Sequence, residues 1–351
     1  MAKRSLELSG NLPLNVSIRL LQLTDETEES FYEMHALLVE QVFRWKTLRV
    51  SSMVGLPPEL RQWIPSELPS VVSLTLSIVV LEHVAANDTV ALEPFISAPH
   101  LTFCASDIRM MFPLTYCPLL QEYHTMACSF NKRFRPPTRS LWRGLIEKLS
   151  QKCPQLEVLQ VTVDSDHILV SASDVSPGEW PVLPSLTTLR LVRTTSSKKS
   201  SSVLTELKAP QLRRIEFLYH APGYGTIREI QFPAKYDGRV LFSRIYAESV
   251  TKVLSRIPNV PGHQVELDLD SMIYGDPKPR KAETWEPLGI APVTTWYREL
   301  WEEIRQTSPD VSWVVPSDEG AGTWKRLGGT DLSFDDAIAY LDRHRSVLRE
   351  T

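Results

Sequence analysis

The segment CPQLEVLQVTV, residues 153–163, joins a small residue and a proline to apolar residues at fixed spacing. Leu156, Leu159 and Val161 follow the pattern L-x-x-L-x-L, whose last part alternates as a strand with one buried face requires. Proline has no N–H and disfavours helix in the residue before it, so Pro154 ends a helix and starts an extended path. The segment therefore predicts the end of a helix, a turn and a short strand in succession.

Copies of this segment recur along the chain. The clearer copies are LPSVVSLTLS (68–77), LPSLTTLRLV (183–192) and APQLRRIEFL (209–218), and weaker ones lie in FRWKTLRV (43–50), APHLTFCAS (98–106) and IPNVPGHQVELDLDS (257–271). The period drifts, because Pro69 and Pro99 are 30 positions apart and Pro99 and Pro118 only 19. Each short strand would bury its apolar face against its neighbours. The pattern predicts an α/β fold, an irregular leucine-rich-repeat-like solenoid with an inner parallel sheet.

Amphipathic stretches between the copies predict helices at 28–45, 140–152, 246–257 and 296–306. We expect the repeat array to span 1–275, with a proline-rich linker or excursion at 276–292. Residues 293–351 are expected to form a helix-strand-helix segment, a candidate cap of the array, whose last helix starts with a capping box at Ser333 and Asp336. The glycine-rich stretch 316–331 is interpreted as a loop, since it lacks the spacing of a phosphate-binding motif.

Charge and composition restrict the partners. The chain has 38 Lys and Arg residues against 42 Asp and Glu residues, a net charge of −4, so neither nucleic acid nor an anionic membrane is the expected partner. No apolar run is long enough to span a bilayer, and no signal peptide is evident. Four cysteines follow no disulfide or zinc spacing and are expected to act as small core residues in a reducing compartment. The expected location is cytoplasmic or nuclear.

No motif supports catalysis, so the protein is not expected to be an enzyme, and no catalytic residue, metal site or cofactor is predicted. The acidic group in VDSDH (163–167) is interpreted as a solvated turn at the end of a strand rather than as a cation site. The alternation in VELDLDS (265–271) indicates an exposed strand face or, as the alternative, an acidic contact surface for a basic partner.

Residues that alternate with the leucines point away from the core, and in a solenoid such residues form the usual binding surface. Their charges are mixed, which suits a protein or peptide partner better than a polyanion. The predicted partner-binding residues are Arg49, Thr75, Gln160, Thr188, Arg190, Arg214, Glu216, Glu266 and Asp268.

Together the copies RWKTLRV (44–50), LPSLTTLRLV and APQLRRIEF resemble the irregular leucine-rich-repeat region of fungal, mushroom-type F-box-like proteins. In that family a segment like LELSGNLPLNVSI (6–18) precedes a helix and an "RW" strand, here Arg44-Trp45, so the resemblance covers most of 6–271. It implies a protein-interaction module, the substrate-binding part of a ubiquitin ligase subunit. The F-box itself is not found, because LPPELRQWI (56–64) lies between two predicted strands. A ligase adaptor is therefore a partner only if an F-box lies upstream, and the alternative is a scaffold or interaction protein with no ligase role.

Overall fold

The structure is a computed structural model whose described residues fall into two compact units. Unit 1 comprises 1–187 with 206–211, and unit 2 comprises 188–205 with 212–351. The described residues are 2–20, 25–52, 64–78, 95–107, 112–126, 139–163, 181–193, 207–219, 236, 238–243, 264–268, 298, 301–304, 306, 311–316, 324–329 and 332–340.

Unit 1 is built on six parallel strands in the order β1-β2-β3-β5-β7-β8. Two very short strands, β4 and β6, pair with each other outside this sheet. The elements are α1 (Ala2–Leu8), β1 (Leu14–Leu20), α2 (Asp25–Val39), a 3-10 turn (Val42–Arg44), β2 (Trp45–Ser52), β3 (Ser73–Ile78), β4 (Ile96–Ser97), β5 (Phe103–Asp107), β6 (Leu114–Tyr116), β7 (Glu122–Met126), α3 (Arg139–Lys152) and β8 (Val158–Val163).

In several described copies the small residue and the proline form a β-turn. The carbonyl of Cys153 accepts a hydrogen bond from the N–H of Leu156 at 3.1 Å, and the carbonyl of Cys117 accepts one from Leu120 at 3.2 Å. Proline follows the carbonyl residue in both turns, which is the position where its fixed φ is favoured. After the turn the next copy joins the previous one, since the carbonyl of Gln121 accepts hydrogen bonds from two successive N–H groups, those of Glu157 and Val158.

One row of buried side chains runs across the six strands of unit 1. Its members lie opposite one another in register although they come from copies of different length: Val16, Leu48, Leu74, Cys104, Tyr123 and Leu159. Helix α3 adds Leu145, Ile146 and Leu149, all buried, at the spacing predicted for its apolar stripe. The predicted leucine frame is therefore confirmed as the core of this unit.

The Arg44-Trp45 pair fixes the start of the sheet. Trp45 is fully buried, and its Nε1 donates to the carbonyl of Leu38 at 3.1 Å, which ties α2 to β2. The Arg44 guanidinium donates to the carbonyl of Leu12 from Nε at 3.1 Å and to Ser9 Oγ at 2.7 Å. These bonds hold the loop between α1 and β1 against β2, and they give the two adjacent residues distinct structural roles.

Unit 2 contains five parallel strands, β9 to β13, followed by the antiparallel β14. Its strands are β9 (Thr188–Arg193), β10 (Arg214–Tyr219), β11 (Arg239–Ser243), β12 (Gln264–Asp268), β13 (Val311–Pro316) and β14 (Trp324–Gly328). Helical residues are described at 301–304 and 334–340. The expectation of a loop throughout 316–331 was wrong, because 324–328 pair with β13.

The core of unit 2 repeats the arrangement seen in unit 1. A buried row runs through Leu189, Ile215, Val240, Val265 and Val311 in register. Trp301 and Trp313 are fully buried and stack with their ring centroids 3.7 Å apart. The N-cap bond of the predicted capping box is confirmed, since the Asp336 N–H donates to Ser333 Oγ at 3.1 Å, while the Asp336 carboxylate accepts from Ser333 Oγ at 2.5 Å.

The chain is thus α/β with a mostly parallel sheet. Within the parts of the chain described above, no helix combines the length and the apolar character needed to cross a membrane. Several predictions concern residues outside the described set: the turn at 164–167, the helix at 246–257 and the linker at 276–292.

Candidate functional site

The accessible face of the sheet in unit 1 carries a row of mainly polar side chains, here called the polar row. It consists of Ser17, Arg49, Thr75, Ala105, His124 and Gln160, each opposite the next in register. Adjacent strands lie about 4.8 Å apart, so the row measures about 24 Å from end to end. Ser17 and Arg49 are exposed, Thr75, His124 and Gln160 are half-buried, and Ala105, the one apolar member, is buried. The row is therefore a mainly uncharged surface, as long as a short extended peptide and interrupted at Ala105.

A second row lies beside the polar row on the same face. At one end Thr47 Oγ1 donates to Asn15 Oδ1 at 2.8 Å, which joins β1 to β2. At the other end His124 Nε2 lies 2.7 Å from Glu122 Oε1, and the His124 ring packs edge-on against Phe103 with centroids 4.8 Å apart. The cationic Arg49 and the Glu122–His124 pair thus lie towards opposite ends of the face.

Three of the predicted partner-binding residues belong to the polar row. Arg49 and Thr75 are direct cross-strand neighbours. His124 lies two strands beyond Thr75, and Gln160 lies opposite His124 on the next strand. The prediction that these side chains share one face is confirmed, while partner binding itself stays a prediction.

The other predicted residues lie in unit 2, where several of them form an ion-pair network, here called the charge cluster: Arg190, Arg214, Glu216 and Glu266. Arg239, whose side chain is 59% exposed, lies at its edge. Glu216 accepts hydrogen bonds from two guanidinium groups, Arg190 Nε at 2.8 Å and Arg214 Nε at 2.6 Å. Its side chain is only 2% exposed. The carboxylate of Glu216 is thus desolvated and neutralised by charge-assisted hydrogen bonds from its own strand and from the adjacent strand β9.

Arg214 also links β10 to β12. Its Nη2 lies 2.7 Å from Glu266 Oε2, and Arg239 Nη1 lies 3.8 Å from the other oxygen of Glu266. Between the two carboxylates, the fully buried Leu241 sits opposite both Glu216 and Glu266. Because Leu241 offers no polar atom, only a long side chain such as that of Arg214 can bridge the two carboxylates over it.

Asp268 is buried as well, and it accepts a hydrogen bond from Ser243 Oγ at 2.6 Å on the adjacent strand. The expectation that the acidic residues of this face are exposed was wrong for Glu216, Glu266 and Asp268. Alternation correctly places them opposite the apolar row, but both faces of β11 and β12 are buried here, as is common for parallel strands. Thr188, the first residue of β9, is half-buried.

Sequence reasoning missed His124, Glu122 and Phe103 as members of the accessible face. Aligning Cys117-Pro118 with Cys153-Pro154 would have found Glu122 and His124, because that alignment places Tyr123 at the position of Leu159. A tyrosine in place of the leucine hid this copy. Phe103 precedes Cys104 in the weaker copy at 98–106. The polar row also begins on β1, which has no proline turn of the repeated kind before it.

Comparison with family models and with curated proteins gave no match for this chain.

Proposed function

We propose that this protein is a protein-interaction module and that the polar row is its contact surface. The observation that carries the proposal is the row itself, in which side chains from six strands lie in register on an accessible face. Its members offer hydroxyl, amide and imidazole groups that can both donate and accept hydrogen bonds. Such a surface suits an extended polypeptide, whose backbone groups need both kinds of partner.

The charges of the face favour one direction for the bound segment. Arg49 and Arg19, both exposed, lie on the first two strands, while Glu122 lies on the fifth. An acidic side chain of the partner would pair with these arginines, and a basic or amide group would face Glu122. Complementary charge at the two ends gives specificity and a faster encounter rather than a large gain in affinity.

The proposal extends to the architecture. Strand and buried row repeat in both units, and the proline turn repeats in unit 1, which supports an irregular leucine-rich-repeat-like solenoid. The resemblance to F-box-like proteins favours the substrate-binding part of a ubiquitin ligase subunit, whereas a scaffold with no ligase role would use the same surface. An F-box encoded in frame upstream of residue 1 would distinguish these two, because only the first role requires it.

The test compares variants of the polar row with a matched control. Arg49→Glu reverses a charge and Gln160→Arg adds one on the proposed surface, while Arg326→Glu reverses an exposed charge on β14 in the other unit. Tagged full-length chains would be used for affinity capture with quantitative mass spectrometry, followed by titration of each captured protein in purified form.

We expect at least one partner whose affinity falls about tenfold or more, that is, by about 1.4 kcal/mol, in both row variants and is unchanged in Arg326→Glu. If every captured protein binds the row variants as tightly as it binds the unmodified chain, the polar row is not the contact surface.

A further inference from the structure

Two buried thiols face each other beneath adjacent turns of unit 1. Cys117 Sγ and Cys153 Sγ are 3.5 Å apart. Cys117 is fully buried and Cys153 is 2% exposed. Each residue supplies the carbonyl that closes its own proline turn, to Leu120 in one turn and to Leu156 in the other.

The repeat itself brings these sulfur atoms together. Cys117 lies six residues before Tyr123 and Cys153 six before Leu159, and Tyr123 pairs with Leu159 in register. The two cysteines therefore occupy the same position in consecutive copies. In neighbouring copies that position holds Ala98 and Leu183, both buried, so the column is an apolar part of the core in which two adjacent members are cysteines.

The spacing of parallel strands matches the requirement of a disulfide. Adjacent strands lie about 4.8 Å apart, and disulfides join Cα atoms that are about 4.4–6.8 Å apart. The sulfur atoms need to approach by about 1.5 Å to reach the bond length of about 2.05 Å. Two side-chain rotations of modest size supply that movement without a change in strand register.

We propose that Cys117 and Cys153 are a disulfide-forming pair, oxidised by hydrogen peroxide or a similarly small peroxide. One thiolate attacks a peroxide oxygen, the O–O bond breaks, and a sulfenic acid and hydroxide form. The second sulfur attacks the sulfenic sulfur, the S–O bond breaks and water leaves. In total two thiols lose two hydrogen atoms, the peroxide gains two electrons and two protons to become two waters, and one S–S bond forms.

The oxidant must be small because both thiols lie in the core. The hydrogen bond with Cys117, together with burial, raises the pKa of Cys153 above its ordinary value. Since the thiolate is the reactive form, oxidation is slow compared with that of an exposed cysteine. Slow, selective reaction within the folded state is the behaviour that distinguishes this pair from a surface thiol.

Cys104 provides an internal control. It is fully buried, and it lies close enough to Cys117 for that thiol to raise the pKa of Cys104. Cys104 nevertheless belongs to strand β5 and not to the column of turns. Random oxidation of the core would pair Cys104 as readily as Cys153, whereas the register of the turns selects Cys153.

The experiment uses the full chain with Cys128→Ala, because Cys128 lies on the same tryptic peptide as Cys117. The reduced, folded protein is treated with hydrogen peroxide, then unfolded and alkylated, and its tryptic peptides are analysed by mass spectrometry. We expect one cross-linked peptide joining Cys117 to Cys153, reversed by dithiothreitol, with Cys104 still alkylated. Cys104→Ala should leave the cross-link intact, and Cys153→Ala should abolish it.

Three results would overturn the proposal. Cys117 and Cys153 could remain alkylated after peroxide treatment that oxidises a free thiol completely. The cross-link could form only when the same treatment is done in urea, or it could join Cys104 instead. All three outcomes are read on the Cys128→Ala protein, which keeps the three buried cysteines.

Discussion

Replacing Glu216 by glutamine keeps the shape of a buried side chain and removes its charge. In the native protein the carboxylate accepts charge-assisted hydrogen bonds from Arg190 at 2.8 Å and Arg214 at 2.6 Å. Each such bond contributes about 1.5–3 kcal/mol. Glutamine keeps one acceptor oxygen, so one bond is lost and the other loses its charge assistance, which predicts a cost of about 2–4.5 kcal/mol. Removing one partner of a buried ion pair costs about 3–5 kcal/mol in general, because the remaining charge is left uncompensated. The two estimates agree, and we expect Glu216→Gln to lower the free energy of unfolding by about 4 kcal/mol.

The matched control is the exposed pair Arg298–Asp335. Its atoms are as close, with Arg298 Nη2 2.6 Å from Asp335 Oδ1, but the side chains are 52% and 72% exposed. Exposed pairs contribute about 0–1 kcal/mol, so Asp335→Asn should change the free energy of unfolding by less than about 1 kcal/mol. Urea unfolding followed by circular dichroism measures both variants. Equal, small losses in the two would refute the reasoning, since they would show that burial does not strengthen the Glu216 network.

Three further predictions concern other parts of the structure. Gly238→Ala should lower the free energy of unfolding by about 1–3 kcal/mol in urea titrations, because the added Cβ would lie against the backbone carbonyl of Arg213; an unchanged midpoint would contradict the close packing. Ser243→Ala removes a buried hydrogen bond to the Asp268 carboxylate, so the same assay should show a loss of about 1.5–3 kcal/mol, and a neutral variant would mean that this bond adds nothing. Burial and the nearby thiol of Cys117 raise the pKa of Cys104 well above its ordinary 9.0. The folded thiol therefore keeps its proton where the unfolded one loses it, and stability should fall above about pH 9 by up to about 1.4 kcal/mol per pH unit, a decline that should be shallower in Cys104→Ala.

The strands were predictable because their apolar residues recur in a frame that buries one face. Leu159, Leu189 and Ile215 are buried at the positions that the frame assigns to them. Strand β7 was missed because Tyr123 replaces the expected leucine, although the proline turn before it was visible. Strand β14 was missed because glycines on both sides of 324–328 favour a loop, and its pairing with β13 is a long-range contact that local propensity does not encode.

The candidate surface was predictable in orientation and only partly in exposure. Alternation along a strand determines which face a side chain occupies, so Arg49 and Glu216 were both assigned away from the apolar row. Whether that face is then covered depends on residues far away in sequence. Arg49 is exposed and Glu216 is buried, although each lies at the same place in its copy of the repeat. The pairing of Glu216 with Arg190 likewise depends on the register between strands β9 and β10, which the local sequence does not determine.

The proline turns have a consequence for how this chain tolerates changes in length. Cys104 and Tyr123 are 19 positions apart while Tyr123 and Leu159 are 36 apart, yet each pair lies side by side in the sheet. The register between neighbouring strands is thus set at the beginning of each copy and does not depend on the length of the connection before it. Residues added to or deleted from such a connection should leave neighbouring strands aligned, so this lineage could lengthen or shorten its connections while the polar row keeps its geometry.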